Sequence, residues 1–492
     1  MDPITQQAVL ATAGAAGGDK VYVDDVFSTY LTVGAGGQTI SNGIDLATEG
    51  GMVWSKARGV GVQPVIHDTE RGINKFLQTS SNNPQTDVNS NTSFHTIKSF
   101  NTDGFTTGAD NGYGVVGLNG YGNYVHWSFR KAPGFFDVVT WAGNSVSGRQ
   151  IAHNLGSAPG FIMVKSYVAG TGGTGWMCYH RSLGNTKAIR LDSTAAATSA
   201  SSAYWNNTDP TSTHFTVGNH EDINTTANSR SYVAYIFAHD DASFGTAGNE
   251  SIIKCGSYTG NSGSAGPDVN VGFEPQWVLI KNTSSAGNDW RIFDNMRGVT
   301  TGGNDQSLCA NRTDAEDSGN NYVRDYLSFT STGFTLGTLG DSSTDYNGDT
   351  LIYMAIRRPH KPPTAGTDVF AAATQTGRSG NQGAFRSGFV VDMAIRLSSI
   401  SGASNRFLSS RMTAPKYLLT NTNVAEDTDS DNKYDFMDGW NNETISSTSK
   451  FSWMFKRAPG FFDVVAYTGN TTVRTIAHNL GVAPEFMIVK SR

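Results

Sequence analysis

Two Asp-x-x-Arg-Gly clusters are the first candidates for chemistry in this chain: Asp68 with Arg71-Gly72, and Asp294 with Arg297-Gly298, each after an apolar stretch. A carboxylate beside a guanidinium could belong to acid–base machinery, but its simplest product is a salt bridge that braces a turn. His153-Asn154 and His478-Asn479 occupy two copies of an Ile-Ala-His-Asn-Leu-Gly turn. Imidazole titrates near neutral pH, yet no Ser, Cys or Asp accompanies either histidine at a recurring spacing. A ring bonded to its own turn's backbone is therefore expected. In the acidic run from Glu426 to Asp435, Asp427, Asp429 and Asp431 alternate as in calcium loops, but Asn432 stands where such a loop needs glycine. A solvated hairpin tip is expected there, with a structural Ca2+ as the alternative and no other cofactor.

Tyr113, Tyr121, Trp205, Tyr322 and Trp440 lie in Gly- or Asn-rich stretches rather than in apolar runs. Flat rings beside amides and hydroxyls suit sugar faces, and they suit core capping equally well. Glycoside hydrolysis needs two carboxylates at a defined separation, and the sequence nominates no such pair. The chain is not expected to be an enzyme.

The elements that must position these residues repeat. Phe129 to Lys165 recurs at Phe455 to Lys490, about 325 residues later and identical at 23 of 36 aligned positions. Self-similarity on this scale indicates a tandem array. Weaker anchors divide the interval. An apolar strand ending in a basic residue appears at 51–56, 160–165, 275–281 and 484–490, and less clearly at 388–396; a closing apolar strand appears near 124–130, 232–238, 351–357 and 451–456. These anchors give an N-terminal anchor and linker at 1–23, units at 24–136, 137–245, 250–360 and 366–462, and an incomplete fifth unit at 463–492. The fourth unit departs most from the others. A lone strand pair is marginal in water, so the fifth unit is expected to continue in the natural chain or to be completed by a neighbour. Each full unit is large enough to be a domain on a core of its own. Arg130, Lys131 and Pro133, with Arg357 and Arg358, and Lys456, Arg457 and Pro459, fall where one unit passes to the next. They read as junction residues that set the angle between modules, or as a solvated basic linker.

Glycine supplies 56 of 492 residues and charged residues only 16%. Short runs rich in Val, Ile, Phe, Tyr and Trp, bounded by Gly, Asn and Asp, predict strands joined by tight turns. Asn42-Gly43 and Asp103-Gly104 are hairpin signals. The expected fold is all-β: a tandem array of β-sandwich modules, jelly-roll or concanavalin-like, behind a short N-terminal helix. A net charge of -6 argues against a nucleic-acid surface, and no apolar run is long enough to span a bilayer. Cys178, Cys255 and Cys309 lack paired spacing, so neither a disulfide framework nor a structural zinc site is expected. Asp2-Pro3 starts a helix well. Ile4, Val9 and Leu10 on that helix are candidates for docking on a partner, and no signal peptide is recognised.

The opening Met1-Asp-Pro-Ile-Thr-Gln-Gln, the stretch Val21 to Tyr30 and the Arg-Lys-Ala-Pro-Gly-Phe-Phe-Asp-Val-Val block resemble virion structural proteins of tailed phages. In particular they resemble tail-fibre-like proteins of marine and cyanobacterial phages. The resemblance implies a virion component attached by its N-terminus, made in host cytoplasm, homotrimeric as fibres commonly are, and meeting a host receptor or glycan with its modules. It carries no catalytic residues over. A head or baseplate decoration protein is the alternative, and a glycan depolymerase a more distant one.

Overall fold

The computed structural model describes residues 20–34, 37–88, 97–108, 123–168, 174–263, 266–316, 323–337, 341–399, 405–444 and 450–492. Ile4, Val9, Leu10 and the expected N-terminal helix lie outside these residues. The described chain is nearly all antiparallel β.

Four large sheets repeat one strand order, in which the strand that closes a unit in sequence lies second in space. The opening strands are Phe27–Val33, Phe136–Ala142, Ile253–Thr259 and Phe370–Thr374; the closing strands are Asn123–Arg130, Ser231–Phe237, Thr350–Arg357 and Phe451–Phe455. Each closing strand sits between its opening strand and a second strand: Gly51–Ala57, Phe161–Ser166, Pro275–Asn282 or Met393–Leu397. Equivalent residues meet across the ladders, so that Phe129 faces Phe27 and Met52, while Phe237 faces Phe136 and Phe161. In the third and fourth units Ile356 faces Ile253 and Trp277, and Phe455 faces Phe370 and Met393.

In the first three units a small sheet covers one face of the large one. In the first it joins Thr39–Ile40, Gly104–Thr107 and Ile97–Asn101. Its Asp103-Gly104 turn needs glycine. Gly104 has φ of +97°, and a Cβ there would stand 2.1 Å from the Ile40 carbonyl oxygen. The fourth unit keeps the strand order but, among the described residues, has no such sheet; Phe385, Phe389, Tyr434 and Trp440 pack over it instead.

The first three units do not fold on separate cores alone but share a further one, contrary to the expectation of independent domains. Strand side chains alternate between faces, and both faces are buried. Val278 and Ile280 pack into the third unit's own sandwich, whereas Trp277 and Leu279 belong to a core shared with Trp54, Trp127 and Phe129 of the first unit and Phe161 and Phe237 of the second. Phe129 touches Phe237 and Trp277, with ring centroids 5.6 and 6.1 Å apart. Three sheets thus turn their inner faces to one another.

The duplicated segment shows what the closing strand contributes. In the second unit its residues form two strands with Ser231–Phe237 between them; at 463–490 no strand forms. Local contacts survive in both copies. The Asn154 amide donates to Asp137 Oδ2, and the Asn479 amide to Asp463 Oδ2, each over 2.7 Å. The amides of Gly134 and Gly460 likewise reach the Leu155 and Leu480 carbonyls at 2.7 Å. Pairing across the sheet does not survive, and Phe486 is 80% exposed where its counterpart Phe161 is 1% exposed. Appending the sequence of Ser231–Phe237 after Arg492 through a flexible linker is expected to turn this segment into paired strands. Hydrogen exchange at Phe486–Lys490 should slow at least tenfold, and unchanged exchange would refute the claim.

Candidate functional site

The Asp-x-x-Arg pairs do more than brace turns. Arg71 Nε meets Asp68 Oδ2 and Arg297 Nε meets Asp294 Oδ2, both at 2.6 Å and fully buried, and each arginine's backbone amide bonds the other carboxylate oxygen. Each carboxylate also accepts a donor from another unit. Tyr235 of the second unit gives its hydroxyl to Asp68 at 2.6 Å, and Trp127 of the first gives its indole N–H to Asp294 at 3.1 Å. Tyr235 and Trp127 hold equivalent places in their closing strands, opposite Met163 and Trp54. At the third border His180 occupies the place of the aspartate, and its Nε2 donates to the Tyr353 carbonyl at 3.1 Å. The first unit is thereby bonded to the second, the second to the third, and the third to the first.

A second set of bonds runs round the same ring. Trp176 donates to the Gln78 carbonyl and Trp290 to the Arg190 carbonyl, both at 2.9 Å, and the Thr79 hydroxyl donates to Ala310 at 2.6 Å. The basic residues ending the second strands, Lys56, Lys165 and Lys281, are at most 1% exposed. Lys56 bonds the carbonyls of Val62 and Thr313, Lys165 those of Asn82 and Thr174, and Lys281 that of Asn288. Burial pushes all three ammonium pKa values down to about 8. The sequence marks these positions only as a recurring basic strand end, so their burial was not legible there. These groups have no opening to solvent and no nucleophile paired with a base. Lys56 and Lys165, with the aspartate, histidine, tryptophan and threonine bonds, are locks between units, while Lys281 braces the third unit from within.

A cleft of about 470 Å³ opens between the first and fourth units. The first contributes Leu31, Thr32 and Val33 from the end of its opening strand, Arg58 just past its second strand, and Asn123 at the head of its closing strand. The fourth contributes a tight turn at Arg378–Asn381 together with Lys433, Asp435, Phe436 and Asn442. The turn is closed by reciprocal bonds between Ser379 and Gln382, with Gly380 at φ of +58°. Arg58 holds the two walls together, meeting Asp435 at 3.3 Å and Glu316 of the third unit at 2.7 Å. Burial by itself would lower the pKa of Arg58, but these two carboxylates outweigh it and raise the value. Asn381 donates to the Leu31 carbonyl at 3.3 Å. Arg378 and Lys433 are exposed in the cleft and make no ion pair among the described residues. Asp435 is the one carboxylate in the lining, so no acid–base pair is assembled there.

The other candidates are not brought into this site. Of the two readings open for them, sugar contact and core capping, Trp205 and Trp440 take the second: they are 1% and 0% exposed, and their indole N–H groups bond Lys187 O and Ser452 Oγ at 3.0 and 2.9 Å. Trp205 ends a short helix, Ser202–Trp205, in the second unit, and Trp440 lies among the loops with which the fourth unit covers its sheet. Tyr113, Tyr121 and Tyr322 lie outside the described residues. Asp429 pairs with Arg396 at 2.8 Å and Asp427 accepts from the Tyr417 hydroxyl at 3.1 Å. With Asp431 they form no group of three metal ligands among the described residues. His153 and His478 accept their own turn's amides, from Leu155 and Leu480, at 3.2 Å.

The junction cations do engage carboxylates. Lys131 bridges Glu70 of the first unit and Asp137 of the second at 2.9 and 3.3 Å. Arg357 meets Glu250 at 2.7 Å. Arg358 and Arg457 share Glu274 at 3.1 and 2.7 Å, and both approach Asp463. Arg130 ends its closing strand, Lys456 bonds Val369 through its backbone, and Pro133 and Pro459 follow in the turns. Cys178, Cys255 and Cys309 are buried and unpaired.

Breaking a buried ion pair leaves a charge stranded and costs about 3–5 kcal/mol. Asp68→Ala is therefore expected to lower unfolding free energy by about that amount in urea denaturation, against about 0–1 kcal/mol for the partly exposed Lys254–Asp240 pair removed by Lys254→Ala. A second expectation concerns acid. Burial pushes His67 and His126 down to about 3, Arg71 adding to the shift at His67. The unfolded chain, with histidines near the ordinary 6.5, then binds more protons than the fold between these values. Their stabilising contribution is complete above pH 6.5 and is lost as pH falls toward 3. His67→Leu should make the acid limb of a melting-temperature profile shallower; an unchanged limb refutes the assignment.

A family model described as Domain of unknown function (DUF7483) matches residues 23–359, the span of the three-unit ring. No curated protein and no solved structure matches the chain.

Proposed function

The chain belongs to the DUF7483 family, and from that premise we propose that it is a structural and adhesive protein of a tailed-phage particle. In this reading it is a tail fibre, mounted through its N-terminal segment and presenting β-modules to the host surface. The observation that supports it is the pairing of a ring locked by buried polar bonds with a polar, cationic cleft that has no catalytic pair. Such an arrangement suits mechanical reach and binding rather than turnover, and weak contacts on many copies sum by avidity. The virion context rests on the resemblance of the opening Met1–Gln7, the Val21–Tyr30 stretch and the Arg130–Val139 block. Other virion proteins, further copies of the chain as a trimer, and a host receptor or glycan are the partners this reading calls for. No helix among the described residues is long and apolar enough to cross a membrane.

Gold-labelled antibody against this chain, applied to intact particles, is expected to mark the tail. Label spread over the head would favour the decoration reading. Particles that carry none of the chain would overturn both.

A further inference from the structure

We propose that the cleft between the first and fourth units binds a saccharide bearing carboxylate groups, such as a uronate chain on a host envelope. The inference deepens the adhesive reading and rests on it. Charge comes first. Arg58 already meets Asp435, the cleft's single carboxylate, and its Nε is taken up by Glu316. Arg378 and Lys433 are left as two cations facing one cavity with no anion among the described residues, on a chain whose net charge is -6. Guanidinium holds a carboxylate through two parallel N–H donors, and an ammonium adds a point charge beside it.

The walls select among anions. Asn123, Asn442 and Ser379 offer amide and hydroxyl groups, and half-buried Val33 offers apolar surface, with Leu31 and Phe436 buried behind the wall. A sugar ring presents hydroxyls and C–H faces that use both kinds of wall. A bare phosphate would satisfy the two cations and leave the rest of the cleft unused. The volume, about 470 Å³, lies within the usual range for small-molecule sites. Both free cations come from the fourth unit, whereas Arg58 and Asn123 come from the ring. The matched family segment therefore supplies one wall, and the fourth unit supplies the charge that selects the ligand.

The test is titration calorimetry of the full chain with trigalacturonate, with the neutral galactose trimer, and with inorganic phosphate. Binding of trigalacturonate is expected, at least tenfold tighter than either comparison ligand. The Arg378→Ala/Lys433→Ala double variant should weaken it at least tenfold. Lys254→Ala, which removes a cation outside the cleft, should leave it unchanged. Both substituted cleft residues are exposed, so an unaltered melting temperature will establish that the variant is folded. Equal affinity for the neutral trimer, equal affinity for phosphate, full affinity in the double variant, or no trigalacturonate binding would each overturn the proposal. Tail labelling without uronate binding would sink the ligand class alone; uronate binding by a chain missing from particles would sink the virion reading alone.

Discussion

The central strands of this protein are apolar on both faces, and a sheet built from them cannot leave either face in water. One face is covered within the unit by its small sheet. The other can be buried only against a surface of the same kind, and the chain supplies two more. Val278 and Ile280 turn one way and Trp277 and Leu279 the other, and both sets are buried. Tandem duplication thus produces a ring rather than a string. The matched family segment ends where that ring does.

A core formed by three similar greasy faces has many nearly equivalent packings. The polar groups inside it restrict them. Each border between units carries a donor that finds an acceptor in one register only: Tyr235 on Asp68, Trp127 on Asp294, His180 on the Tyr353 carbonyl. An unmade bond of this kind leaves a buried polar group unpaired at about 1–3 kcal/mol, so slipped or rotated arrangements are penalised. Lys56 and Lys165 follow the same logic at greater expense, since each holds a buried ammonium group against a carbonyl of another unit, that of Thr313 and that of Asn82. The fourth unit is attached differently. Among its links are Arg58 to Asp435, Arg457 to Glu274, and Asn381 to the Leu31 carbonyl, and the open cleft lies on that border.

Much of the fold could be read from the residues. The all-β class, the closing strands and the turn histidines all follow from short-range pattern. The shared core left a trace that independent domains would not: runs such as Trp277-Val-Leu-Ile280 are unbroken where a half-buried strand would alternate. Trp205 and Trp440 stayed undecided between sugar contact and core capping because loop composition describes only near neighbours, whereas their burial comes from residues elsewhere in the fold. The cleft left no trace at all. Arg58 and Lys433 are ordinary cations hundreds of residues apart, and only the docking of the fourth unit on the first brings them together.

The duplicated segment separates the two kinds of information most cleanly. Sequence alone determined that 129–165 and 455–490 share internal contacts, because both partners of each bond lie within the segment and the bonds form in both copies. Only tertiary structure decided whether those residues become strands. A strand's hydrogen bonds are made by its neighbour, and the neighbour here, Ser231–Phe237, lies far along the chain from the residues it orders.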